Sequence, residues 1–124
     1  MSVERALRDI AEVARSRGMQ VEGGGERLLV KHTGLPLSVV VEKTGAGGFR
    51  VELRVGEGLG EAIDEALAQG EDPREEIEEA LDELVRIVDY AVQRLTREGL
   101  QVKRETREAI MDAYEALEER LEES

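Results

Sequence analysis

Residues 49–67 read "FRVELRVGEGLGEAIDEAL", and the fold turns on what this stretch is. Phe49, Val51, Leu53 and Val55 alternate with Arg50, Glu52 and Arg54. That period of two belongs to a strand with one apolar and one wet face. From Leu59 the apolar residues change spacing to Leu59, Ala62, Ile63, Ala66 and Leu67, the pattern of a helix. Gly56, Gly58 and Gly60 lie between the two. Strand, glycines, helix is the order of a phosphate-binding loop. A dinucleotide loop needs its third glycine three positions after the second, and that position is Glu61. A P-loop ends in Gly-Lys-Ser/Thr, which the sequence lacks. Glu57, Glu61, Asp64 and Glu65 suit the positive end of a helix but oppose an arriving phosphate. The stretch therefore reads as a structural joint, and ATP, GTP and NAD are not expected there.

Upstream of the joint, residues 3–17 read as a helix. Val3, Ala6, Leu7, Ile10, Val13 and Ala14 share a face, and Gly18 sits at the stop position. Short alternating runs follow: Met19 and Val21, then Leu28, Val30 and His32, then Leu37, Val39 and Val41. "GGG" at 23–25, "TGLP" at 33–36 and "TGAGG" at 44–48 connect them as turns. With 49–55 these runs make an antiparallel meander of three or four strands. Downstream, a short helix ends at Gly70. Asp72-Pro73 starts a long helix that runs to about Glu98, where Gly99 and Leu100 form a stop with Leu100 against Leu95. A last helix is expected over about 103–122. The fold class is α+β: an N-terminal helix, a small antiparallel sheet, a short helix and a C-terminal helical hairpin. The 124 residues form one domain, with 1–70 as a helix–sheet–helix core and 71–124 as the hairpin.

Composition excludes several classes. There is no cysteine, so disulfides and thiolate metal sites are absent. The longest apolar runs are "LLV" at 28–30 and "VVV" at 39–41, too short for a membrane helix or a signal peptide. A cytoplasmic location is expected. Arginine outnumbers lysine 14 to 3 and asparagine is missing, a mix that suggests a thermophilic source or a GC-rich genome. The net charge of −12 is uneven: residues 1–55 carry 9 basic and 7 acidic side chains, residues 56–124 carry 8 and 22. The acidic half repels nucleic acid and either solubilises the chain or attracts a basic partner.

Catalytic candidates are few. His32 is the sole histidine, and its place at a strand end on the apolar phase reads as structural. Ser2, Ser16, Ser38 and Ser124 have no histidine at a telling spacing. Glu75, Glu76, Glu79, Asp82 and Glu83 lie near a helix N-terminus, where the dipole favours them without a metal. Tyr90 and Tyr114 read as rim residues of a helical core. No catalytic, metal or cofactor residue is assigned, and no enzymatic activity is expected. Arg27, Lys31, Arg50 and Arg54 fall together on the wet sheet face with Glu42 and Glu52. Ion pairing is expected there, with nucleic-acid contact as the alternative, although no aromatic residue stands on that face to stack a base.

The long helix carries the remaining signal. Its apolar residues from Ile77 to Leu95 cover an arc of about 160° on a helical wheel, wider than one neighbour requires. It spans ~39 Å, against ~23 Å for a seven-residue strand. A second copy of the chain is therefore expected on it, through Leu84, Ile87, Val88, Ala91 and Leu95 together with Met111 and Tyr114. In size, acidity and helix–strands–helix order the chain resembles bacterial secretion chaperones. That resemblance is architectural, covers no motif, and implies a non-catalytic dimer that binds a client segment. The expectation is a homodimeric protein-binding or adaptor module for a partner with a basic or apolar segment. An enzyme or small-ligand protein with a site assembled from scattered residues, and nucleic-acid binding by the sheet face, remain open alternatives.

Overall fold

The computed structural model describes residues 3–123; Ser2 and Ser124 lie outside them. The elements in order are α1 (Val3–Ser16), β1 (Gln20–Gly24), β2 (Arg27–Lys31), β3 (Leu37–Lys43), β4 (Phe49–Val55), α2 (Leu59–Ala68), α3 (Pro73–Arg97), β5 (Val102–Glu105) and α4 (Arg107–Glu123). One sheet holds all five strands in chain order. β1 to β4 are antiparallel, and β5 lies parallel to β4 with Val51 opposite Arg104. The expected α+β architecture and meander are present. The sheet is mixed because the chain returns through α2 and α3 to add β5 beside β4.

Three helices end in the same way. Gly18, Gly70 and Gly99 have φ of 84°, 75° and 82°. The amides just beyond them, Met19, Glu71 and Leu100, donate back to Ala14, Ala66 and Leu95 at 3.1, 2.9 and 3.4 Å. This is the Schellman stop, and glycine takes its left-handed φ without a Cβ penalty. At the start of α3 the Asp72 carboxylate accepts the amides of Arg74 and Glu75 at 3.0 and 3.4 Å. Pro73 follows, where a missing amide hydrogen costs nothing.

β5 replaces the first turn of the expected last helix. Val102 is its only apolar residue, so "VKRE" carries no alternation and its Lys, Arg and Glu read as helix formers. Thr106 then opens α4: its carbonyl accepts the amide of Ile110 at 3.1 Å. α3 and α4 are thus joined by a strand, and α4 also packs on β4 and α2.

All four helices lie on one side of the sheet. Leu28, Val30, Val39, Val41, Phe49, Val51 and Leu53 face them and are buried. α1 covers β1 and β2, and α3 runs over β3, β4 and β5. Ion pairs fasten the layer: Arg94 with Asp9 at 3.0 Å and Arg17 with Glu83 at 3.3 Å tie α3 to α1, and Arg104 with Asp89 at 3.0 Å ties β5 to α3. Leu84, Ile87, Val88, Ala91 and Leu95 are each 0% exposed. This corrects the expectation that they face a second copy. The wide arc of α3 is met by α1, the sheet and α4 of the same chain, because a helix flanked on both sides over a sheet needs an apolar surface wider than a single stripe.

Candidate functional site

The glycine joint holds structure together. Gly56 donates its amide to the Pro36 carbonyl at 2.7 Å, and a Cβ at Gly56 would lie 3.1 Å from that oxygen. Gly58 is the N-cap of α2, without a side-chain cap. Gly60 lies under the Arg120 guanidinium of α4, which pairs with Asp64; a Cβ there would meet Cζ at 2.8 Å. At Gly56 a side chain would meet backbone, at Gly60 the flexible end of Arg120, and at Gly58 only Pro36 at van der Waals distance.

On the helix-free sheet face, Arg27, Lys31, Arg50 and Arg54 stand together as expected, and each is held by a glutamate. Arg27 pairs with Glu42 at 3.4 Å, Lys31 with Glu22 at 2.7 Å and Arg54 with Glu52 at 2.6 Å, while Arg50 also holds Glu42. The Arg50 contact keeps the Glu42 carboxyl below its ordinary value. Val40 stands among them at 0% exposure. Its neighbours across the sheet are Leu29 of β2 and Glu52 of β4.

A concavity of about 660 Å³ lies between α2 and α3. One wall is α2, with Ala62, Glu65, Ala66 and Gln69. The opposite wall is the N-terminal half of α3, with Glu76, Glu79, Ala80, Asp82, Glu83 and Arg86. His32, Gly34 and Leu35 of the β2–β3 connection close one end, and Glu71 closes the other. Helical spacing produces this lining. Residues 76, 79, 80 and 83 share a flank of α3 next to the buried stripe of Ile77 and Leu84, so carboxylates stand directly beside an apolar floor of Leu35, Ala62, Ala66 and Ala80.

His32 sits at the end of this groove as a turn residue. Its Nδ1 accepts the amides of Gly34 and Leu35 at 3.0 and 2.9 Å. The imidazole is therefore neutral with its proton on Nε2. Burial pulls its pKa below 6.5, and the Glu83 charge offsets part of that. Among the other lining groups, Glu76 stands beside the Glu71 carboxylate. The closeness of Glu71, followed by burial and the charges of Glu71, Asp72 and Glu79, raises Glu76 above its ordinary value. The groove holds six carboxylates against the single cation Arg86. Among the described residues, no group of three or more ligating side chains has a geometry that would hold a metal ion.

The sequence places Glu76, Glu79, Asp82 and Glu83 near a helix N-terminus but does not join them to Glu65, Glu71 and His32. Nothing in the linear spacing links α2, α3 and the β2–β3 connection. The nearest signal was the concentration of charge in the second half of the chain. Of the residues expected at a partner interface, Met111 (60% exposed) and half-buried Tyr114 are the two at the surface, on the far flank of α3 beside α4. Among the described residues, no helix is long and apolar enough to cross a membrane. Comparison with protein-family models, with curated proteins and with solved structures finds no match to this chain.

Proposed function

We propose that the chain is a non-catalytic protein-binding module, and that the groove between α2 and α3 takes a basic, amphipathic segment of a partner protein. The observation that carries this reading is the lining: six carboxylates and one arginine around a floor of Leu35, Ala62, Ala66 and Ala80. Lysine and arginine heads match the rim, and alanine- or leucine-sized side chains match the floor. Walls of low dielectric focus the field of the carboxylates into the groove and raise the local concentration of a cationic ligand. The histidine contributes shape: with Nδ1 committed to two amides, its acceptor is not available to take a proton from a substrate. Client binding is also the kind of role that the likeness to secretion chaperones implied.

The test is fluorescence anisotropy with a labelled peptide that alternates lysine with alanine, against its glutamate counterpart. The lysine peptide is expected to bind saturably, and Glu76→Lys plus Glu79→Lys is expected to abolish binding. Glu118→Lys plus Glu119→Lys makes the same change of net charge on the exposed face of α4, and is expected to weaken binding far less. Equal loss in both variants would show that bulk charge is responsible and the groove is not the site.

A further inference from the structure

The flank of α3 that meets α4 carries a second feature, which shares Asp82 and Arg86 with the acidic groove. Between α3 and α4 runs an apolar groove of about 470 Å³, lined by Leu81, Val85, Ile110 and Tyr114 with Asp82 and Arg86 at its rim. Beside it Met111 projects from α4 at 60% exposure, the one large hydrophobic side chain so exposed among the described residues. Met111 follows Ile110 and precedes Tyr114 by three positions, so knob and groove belong to one surface. A two-fold axis needs that arrangement: the same patch must offer both the protruding group and the hollow that receives it.

We propose that this surface pairs with a second copy of the chain, with Met111 of each copy seated in the Leu81–Val85–Ile110–Tyr114 groove of the other. Methionine, unbranched and flexible, adapts to a shallow hollow of this kind. Charge supports the same occupant. Asp82 and Arg86 are one helical turn apart on the rim, and neither makes an ion pair among the described residues. A two-fold axis perpendicular to α3 runs the two α3 helices antiparallel across the seam, and in that arrangement Arg86 of each copy would meet Asp82 of the partner subunit. A partner with one sign of charge would satisfy only half of that rim. Burial lifts the Tyr114 phenol above its ordinary value, with Glu78 and Asp82 adding to the effect, so a group already partly withdrawn from water borders the seam. The two copies repel through a net charge of −12 each, but charges farther apart than ~8 Å are largely screened at physiological ionic strength.

Sedimentation equilibrium at physiological ionic strength tests the pairing. The unmodified chain is expected to reach twice its mass of 13.7 kDa at micromolar concentration. Met111→Glu is expected to give a monomer with an unchanged circular dichroism spectrum. Arg86→Asp is expected to weaken the dimer, and Asp82→Arg combined with Arg86→Asp to restore it by swapping the rim. This last comparison decides the matter if Met111→Glu perturbs the fold. A monomer at every concentration overturns the proposal. So does a dimer that Met111→Glu leaves intact in a folded protein, or a swap that does not recover what Arg86→Asp loses.

Discussion

His32 spends its acceptor nitrogen on the chain, and a measurable pH response follows. Protonation at Nδ1 would break the bonds to Gly34 and Leu35. The folded pKa lies below the ordinary 6.5, so the unfolded chain binds more protons between the two values. The stabilisation is complete above 6.5, declines as pH falls below it, and is exhausted below the folded value. Urea midpoints from neutral to mildly acidic pH should fall with this sign in the unmodified protein, and the step should be absent in His32→Ala. That variant should cost about 1 kcal/mol at neutral pH, the usual worth of a lost hydrogen bond. Two glycines give a contrast at the same scale. A Cβ at Gly48 would lie 2.7 Å from the Gln101 carbonyl oxygen, where the backbones of the β3–β4 connection and the approach to β5 meet. Gly48→Ala should destabilise by about 1–3 kcal/mol through forced backbone movement. At Gly60 the obstacle is the end of the flexible Arg120 side chain. Gly60→Ala gains about 1 kcal/mol of helix propensity against an exposed ion pair worth ~0–1 kcal/mol. Its melting temperature should be equal to or above that of the unmodified protein.

Among the elements, α3 separates what burial decides from what the wheel decides. Ile87 lies at the edge of the apolar arc, yet it is 0% exposed. Ile87→Ala should destabilise by about 2–5 kcal/mol as a buried truncation, whereas Met111→Ala should leave the chemical-denaturation midpoint of the monomer nearly unchanged. Most elements were legible because each rests on a local signal. The alternation of 49–55, the Asp72-Pro73 start and the Gly18, Gly70 and Gly99 stops are written within a few residues of the structure they cause. β5 was not, because a four-residue edge strand with Val102 as its one apolar side chain is specified by the neighbour it pairs with. The flanks of α3 were not legible either: the sequence shows how wide the arc is, and only the assembled layer shows that α1 fills one side. The acidic groove escaped for the same reason, since α2, α3 and residues 32–35 are brought together by the core beneath them.

At the scale of the molecule, charge is sorted by surface. The helix-free sheet face neutralises itself through cross-strand pairs, the α2–α3 groove concentrates unbalanced carboxylates, and its Asp82 and Arg86 also border the α3–α4 seam. Binding of a cationic segment should therefore respond to the protonation of Glu76. Its raised pKa means that its proton leaves over a pH window above that of an ordinary glutamate. Affinity for the lysine–alanine peptide should increase over that window, and this increase should be reduced in Glu71→Gln, where the carboxylate pair no longer exists. The most direct measurement of the central claim uses the single histidine as a reporter. The account predicts that the peptide, titrated against isotope-labelled protein, shifts the His32 imidazole resonances together with the amides of Leu35, Ala62, Ala66 and Ala80 while leaving Arg27, Arg50 and Arg54 unmoved. A saturating titration that shifts the sheet-face amides, or that leaves His32 and its groove neighbours in place, would contradict it.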